Sequence, residues 1–246
     1  MNVYLNKVDG IADAIVSMYF SKRSWSRVIE EEIRDVTFDN LDRYDGFYDT
    51  ERTRFVTEEA IDKFNNYMEK LCKWGKKHIT MLRFIDFSIT VEDIHRGAQD
   101  DWDSHAKRFE NRIIRASTRL ADFKSDEMSD YYKGKIIPTD TLCEMFNIEL
   151  PQEVDVNGEK YVKAVNGYIL KDMKDNKDVK RGLYMESIPS SFIFKINLTE
   201  WAHVYKERGK HSNANPEVRE LAEKIQDQIE EAIPWFTRDF VMSINN

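Results

Sequence analysis

The sequence is poor in the residues that make cross-links and tight turns. Its 246 residues include two cysteines, five prolines and nine glycines. Cys72 and Cys143 form no CxxC pair, which leaves neither a disulfide framework nor a cysteine zinc site to read. Neither has the Pro or His neighbourhood of an activated thiolate, and Cys72 reads as a helical residue packed in the core. Long apolar runs are missing too. No stretch approaches the roughly eighteen residues of a membrane helix, so no membrane partner is predicted. Met1-Asn2-Val3-Tyr4-Leu5-Asn6-Lys7 lacks the charged-then-apolar run of a signal peptide. Asn197-Leu198-Thr199 therefore reads as a sequon without a secretion route, and a reducing compartment is expected.

Positive charge is also in deficit. Thirty-seven basic against 45 acidic residues leave a net charge of −8. Such a chain is no general nucleic-acid coat, which needs a basic surface to displace counterions. A small anion can still be held by a local group of arginines. No GxGxxG or GxxxxGK[ST] phosphate loop, HExxH or GxSxG elbow occurs. The five histidines, His78, His95, His105, His203 and His211, include no pair four apart, so no metal site is predicted.

What the chain does have is core-forming material. Hydrophobic residues make up 41%, with 14 Phe, 11 Tyr and 5 Trp, enough for a full core and against global disorder. Helical spacing runs over 8–35, through Val8, Ile11, Ile15 and Met18. Residues 37–56 read as a loop. Thr57 is a candidate N-cap for a helix to about Lys73, broken at Trp74-Gly75-Lys76-Lys77. Met81–Val91 alternates like a strand. From Val91 to about Phe123 the pattern predicts one long helix, with Arg108, Arg112, Arg115 and Arg119 on neighbouring parts of one face. Asn157-Gly158 and Asn166-Gly167 mark the turns of a small antiparallel meander. Lys171–Lys180 reads as an exposed charged loop and Gly182–Phe194 as a strand pair. Two helices follow, Asn197 to Arg208 and Pro216 to Ala232, separated by a Gly/Asn/Ser-rich break. The class is α+β, with 1–246 as a single domain.

The last third carries the sharpest pattern. Arg181 is followed by Asn197-Leu198-Thr199-Glu200-Trp201-Ala202-His203, then Arg208, then Asn213-Ala214-Asn215-Pro216-Glu217-Val218-Arg219-Glu220-Leu221-Ala222. This resembles the C-terminal half of the flavin-dependent thymidylate synthases (ThyX), whose pattern is roughly A-R-x-x-L-P, N-x-R-x-x-x-[NH]-F-x-x-x-R and H-A-[QD]-x-E-I-R-x-x-A. The spacing from Arg181 through Asn197 and His203 to Arg208 agrees without gaps, and one extra residue follows. The family signature R-H-R-x-x-S-x-N-E-x-S-x-R-Y lies over Arg119–Tyr132, where Arg119, Glu127, Ser129 and Tyr132 match and Asp126 replaces Asn. Leu120, Ala121, Lys124 and Tyr131 depart from it. Upstream, Leu82 stands where the family has His.

The resemblance implies a central antiparallel sheet flanked by long helices, and chemistry at C5 of a uracil nucleotide. It implies that Arg181, Glu127, Met128, Ser129 and Arg208 bind that nucleotide, and that Arg208 also polarises the pyrimidine as the catalytic residue. Arg119, Asn197 and His203 fall at FAD-binding positions. Methylene-tetrahydrofolate would give the carbon, FAD the hydride and NADPH the reducing equivalents. A cytoplasmic homotetramer in a bacterial or phage-infected cell is implied as well. The departures leave other outcomes open: a dUMP hydroxymethylase, a UMP methylase, or a non-catalytic nucleotide-binding homologue.

Overall fold

A computed structural model describes residues 1–41, 57–104, 112–117, 128, 130–176, 179–180, 183–184, 186–209 and 212–244. Among them the chain opens with β1 (Asn2–Asp9), α1 (Ile11–Ser21), α2 (Arg27–Leu41) and α3 (Glu58–Gly75). A 3-10 helix, Ile79–Phe84, leads into β2 (Asp86–His95) and α4 (Arg96–Asp103). Then come β3 (Arg112–Arg115), a 3-10 turn at Asp130–Tyr132, α5 (Thr139–Met145), β4 (Glu153–Val156), β5 (Glu159–Ala164) and β6 (Gly167–Leu170). The chain ends through β7 (Pro189–Asn197), α6 (Leu198–Arg208), α7 (Pro216–Ala232) and α8 (Arg238–Ser243). β1, β2, β7 and β3 hydrogen-bond in that order as a four-stranded sheet, and β4-β5-β6 form a three-stranded one.

Two compact units divide the chain. One comprises Met1–Asn2, Glu92–Asp101 and Arg115–Phe192; the other comprises Val3–Val91, Trp102–Ile114 and Ile193–Asn246.

The second unit is largely helical. α1, α2 and α3 pack on one another, and α6 packs on α7 and α8. α3 follows the sequence closely. The Thr57 side chain accepts from the Ala60 amide at 3.2 Å, and Phe64, Met68, Leu71 and Gly75 are buried at i, i+4, i+7 and i+11. A side chain on Gly75 would stand 2.5 Å from Leu82, so the helix end is bare where the following 3-10 helix packs. Gly10 precedes α1 at φ +80, and a Cβ there would meet the Phe84 carbonyl oxygen at 1.8 Å. α7 starts as predicted, with Asn215 as cap and Pro216 in its first turn. Its buried Gln226 accepts from the Trp201 indole at 2.8 Å and donates to the Phe236 carbonyl at 2.7 Å. These bonds tie α6 and the 234–236 turn to α7.

The first unit holds the meander. Asn157, Gly158 and Asn166 adopt positive φ, and β4-β5 and β5-β6 are antiparallel with Val156 opposite Glu159 and Ala164 opposite Gly167. The Asn-Gly reading holds because these residues enter the left-handed region at little steric cost. Lys171–Asn176 is exposed throughout, as its charge predicts.

Five expectations are corrected. Residues 8–35 are not one helical stretch: β1 ends at Asp9, and α1 and α2 are separated at Lys22–Ser26, where Arg23 has φ 55. Val3 and Leu5 are half-buried while Tyr4 and Asn6 are exposed, a period of two. α2 continues to Leu41 into the stretch read as a loop, and 42–56 lie outside the described residues. The strand read over Met81–Val91 begins only at Asp86 and runs to His95.

The fourth correction matters most. Among the described residues of Val91–Phe123, the long helix is replaced by the end of β2, the short α4 and β3, while 105–111 and 118–123 lie outside them. Arg112 and Arg115 therefore stand in a strand, where the i, i+3 rule of a helix face does not apply. β-branched Ile113 and Ile114 favour that strand once a sheet edge is available. Arg115 pairs instead with Asp100 of α4, which also takes Arg96 at 3.3 Å. Arg108 and Arg119 lie outside the described residues. Among the described residues, Gly182–Phe194 supplies one strand, the start of β7, rather than a pair.

Candidate functional site

β7 passes into α6 through Asn197. Its Oδ1 accepts from the Thr199 amide at 3.0 Å, the Glu200 amide at 3.0 Å and the Thr199 hydroxyl at 2.7 Å. Three bonds on one buried oxygen make this an N-cap that fixes where the helix begins. Leu198 N donates to the Ile85 carbonyl at 2.8 Å, anchoring the same turn to the residue before β2. Leu198 through Ala202, then Val204 and Tyr205, are buried. α6 is thus a core helix, and only its later residues reach water.

His203 and Arg208 are both half-buried on α6. Five residues apart at about 100° per residue, they leave the helix in directions roughly 140° apart. The helix carries both but does not present them on one face. Arg208 is the last helical residue, where a cation complements the carbonyl end of the dipole. Gly209 closes the helix with its N–H on the Tyr205 carbonyl at 2.8 Å, and a Cβ there would stand 2.5 Å from that oxygen.

A second group gathers in the other unit. His95 ends β2 and is 2% exposed. Its Nε2 lies 3.3 Å from the Tyr132 hydroxyl. The Tyr131 ring lies nearly parallel at 5.8 Å, the Tyr132 ring edge-on at 4.7 Å. Burial pushes the His95 pKa down to about 4, so the imidazole is neutral at pH 7. Burial also raises Tyr132, with Tyr131 and Glu186 adding to it. Gly97 makes room here, since a Cβ would meet Glu186 Oε2 at 2.9 Å and the His95 ring at 3.3 Å. The Lys135 ammonium stands 3.4 Å from the Tyr131 ring centre. A phenol hydroxyl beside a neutral imidazole can hold or pass a proton without placing charge in the core.

In the same unit, fully buried Gln99 accepts from the Ser190 hydroxyl. Arg96 N and Gly97 N donate to the Ile188 and Glu186 carbonyls at 3.0 and 3.1 Å, which fixes the start of α4 against the approach to β7.

Of the residues singled out by sequence, Met128 is half-buried, two positions before the Asp130–Tyr132 turn. Arg119, Glu127, Ser129 and Arg181 lie outside the described residues. Tyr132, a signature match, meets His95, which the sequence listed only as one histidine among five. No spacing rule links residues 37 apart, so sequence held no signal for that pair. Cys72 is on α3 as read, half-buried rather than fully packed. Burial pushes its thiol up to about 12, which keeps it protonated.

The profile of the family described as "Thymidylate synthase complementing protein" matches residues 16–235. The fold is similar to that of flavin-dependent thymidylate synthase ThyX from Helicobacter pylori, solved with FAD and dUMP. There the TM-score is 0.56 at 12% identity, covering 97% of this chain and 99% of that one. A second structure of the Helicobacter pylori enzyme with FAD and dUMP gives 0.54 at 12%, over 98% and 100%. The UMP/dUMP methylase PolB from Streptomyces cacaoi, bound with 5-Br dUMP, gives 0.54 at 10%, over 96% and 92%. No curated protein matches the sequence significantly.

Proposed function

Because the chain belongs to the thymidylate synthase complementing protein family, ThyX, we propose that it methylates C5 of a uracil nucleotide, converting dUMP to dTMP. The observation that carries this reading is the family match over residues 16–235; the ThyX-like α+β fold supports it.

Each residue has a role by its chemistry. Arg181, Glu127, Met128 and Ser129 contribute to nucleotide binding, the guanidinium as a bidentate partner for phosphate. Arg208 binds the pyrimidine and polarises it toward a nucleophilic C5, an effect of preorganised donors in a partly water-excluded place. Arg119, Asn197 and His203 hold FAD. The donor set suits a phosphate-bearing flavin: His203 and Arg208 are half-buried, able to reach a ligand while held by a core helix. Asn197 Oδ1 is taken by the cap, so its contribution to a flavin comes through the amide nitrogen. FAD supplies the hydride when bound, with methylene-tetrahydrofolate as carbon donor and NADPH as reductant. A homotetramer completes this reading.

A second substrate, UMP, is favoured by the likeness to PolB, a UMP/dUMP methylase. The test is the visible spectrum of the purified protein with FAD, then with dUMP or UMP. A flavin band perturbed by one nucleotide supports the reading and selects the substrate. Product analysis with methylene-tetrahydrofolate then separates a methyl from a hydroxymethyl product. A protein that takes up no FAD overturns the flavin-dependent reading in favour of a binding module.

A further inference from the structure

The end of β2 and the turn at Asp130–Tyr132 are joined twice within the first unit. Tyr132, the last residue of the turn, meets His95, and Asp130, the first, is hydrogen-bonded through its carboxyl to Asp93. The two contacts share one sequence offset, 37 residues, so the turn lies along the last three residues of β2. Lys133 supplies positive charge for both carboxyls, bonding to Asp130 and attracting Asp93. Asp93 itself has φ 54, a left-handed backbone that is uncommon for a residue with a side chain.

The turn buries none of its own residues, so its packing alone does little to hold it. The imidazole offers it a fixed surface. His95 is buried, and Gly97 leaves its ring just enough room, since a Cβ there would be 3.3 Å away. The Tyr131 ring lies nearly parallel to the imidazole and the Tyr132 ring edge-on. The two tyrosine rings meet each other edge-on at 5.1 Å. A buried imidazole loses hydration that an apolar side chain would not need, and its contact with the Tyr132 hydroxyl offsets that loss. Met128, half-buried, and Ser129 run directly into the turn.

Given the reading of Met128 and Ser129 as nucleotide ligands, on which this step rests, we propose that His95 is a positioning residue for the nucleotide. It touches no ligand. The imidazole fixes the phenol of Tyr132, the phenol fixes the turn, and the segment ahead of the turn is left with less ordering to undergo when a nucleotide binds.

Calorimetric titration of the full chain with dUMP in the presence of FAD tests this, together with steady-state kinetics. His95→Leu and Tyr132→Phe should each weaken dUMP and raise its KM at least tenfold, with kcat at saturating dUMP within about threefold of wild type. FAD uptake should be unchanged in both. The double variant should bind dUMP no more weakly than either single one, because the two side chains act as a unit. His95→Gln keeps a hydrogen-bonding group for the phenol and should recover most of the affinity. If His95→Leu fails to fold, Tyr132→Phe, which keeps the ring, carries the comparison. Losses that multiply in the double variant, or FAD uptake lost along with dUMP, overturn the positioning role. Wild-type protein that binds neither dUMP nor UMP overturns the nucleotide reading itself, whereas dUMP bound equally by wild type and variants overturns the role of His95 alone.

Discussion

The hydroxyl oxygen of Tyr132 lies 3.3 Å from Nε2 of His95, joining the end of β2 to the turn at Asp130–Tyr132. The histidine is buried and its pKa is pushed down to about 4. In the unfolded chain the same group titrates near 6.5. Between those values the unfolded chain binds the proton and the folded protein does not. Stability therefore falls as pH drops from about 6.5 toward 4, by at most about 1.4 kcal/mol per pH unit. Thermal unfolding between pH 7 and 5 measures this. His95→Gln should flatten the dependence, and a variant with the wild-type slope would refute the assignment.

Arg208→Ala removes the group proposed to polarise the pyrimidine. Loss of one preorganised donor commonly costs about 10²–10³ in kcat, so turnover of dUMP should fall by at least that factor. Circular dichroism and the melting temperature should move little, because Arg208 ends α6 and is only half-buried. Arg208→Lys keeps the charge and loses the fork, and should recover only part of the rate. Full activity in the alanine variant would rule out the catalytic role.

Asn197 separates capping from ligand contact. Asn197→Ala deletes the acceptor of two amides and a hydroxyl, and is expected to cost about 1–2 kcal/mol in urea unfolding. Asn197→Asp keeps the acceptor and should stay within about 0.5 kcal/mol of wild type. It lacks the amide nitrogen, so FAD affinity should drop in Asn197→Asp with stability preserved. Equal FAD affinity in the two proteins would confine Asn197 to the cap.

Gly10 should tolerate no side chain. Gly10→Ala combines a left-handed backbone at φ +80 with a Cβ 1.8 Å from the Phe84 carbonyl oxygen. The left-handed conformation alone costs about 1–2 kcal/mol, and the clash forces the backbone to move. A urea midpoint lowered by more than about 2 kcal/mol of stability is expected. A near-neutral substitution would show that β1 and α1 join differently.

Local signals decided which elements were legible. Asn-Gly pairs, the Thr57 cap and Pro216 act through their own backbone preferences, so the meander, α3 and α7 appear in sequence much as they fold. β3 was hidden because arginines at 108, 112, 115 and 119 imitate a helical face, whereas a four-residue strand owes its state to the β7 edge beside it. β1 left a trace in the Val3/Leu5 alternation, drowned by the helical spacing that follows. The candidate site divides similarly. Asn197, His203 and Arg208 are singled out by their register with the family pattern and stand at the cap or on the helix α6, while His95 and Tyr132 meet only through the fold.

The Gln226 amide, donor to Phe236 and acceptor from Trp201, sets a rule for how these positions can diverge. Any single replacement at 226 strands either the buried indole N–H or the carbonyl beneath it, so drift through intermediates with one partner changed is selected against. Positions 201 and 226 should be inherited as a pair across related chains. Where one differs, the other will have changed with it.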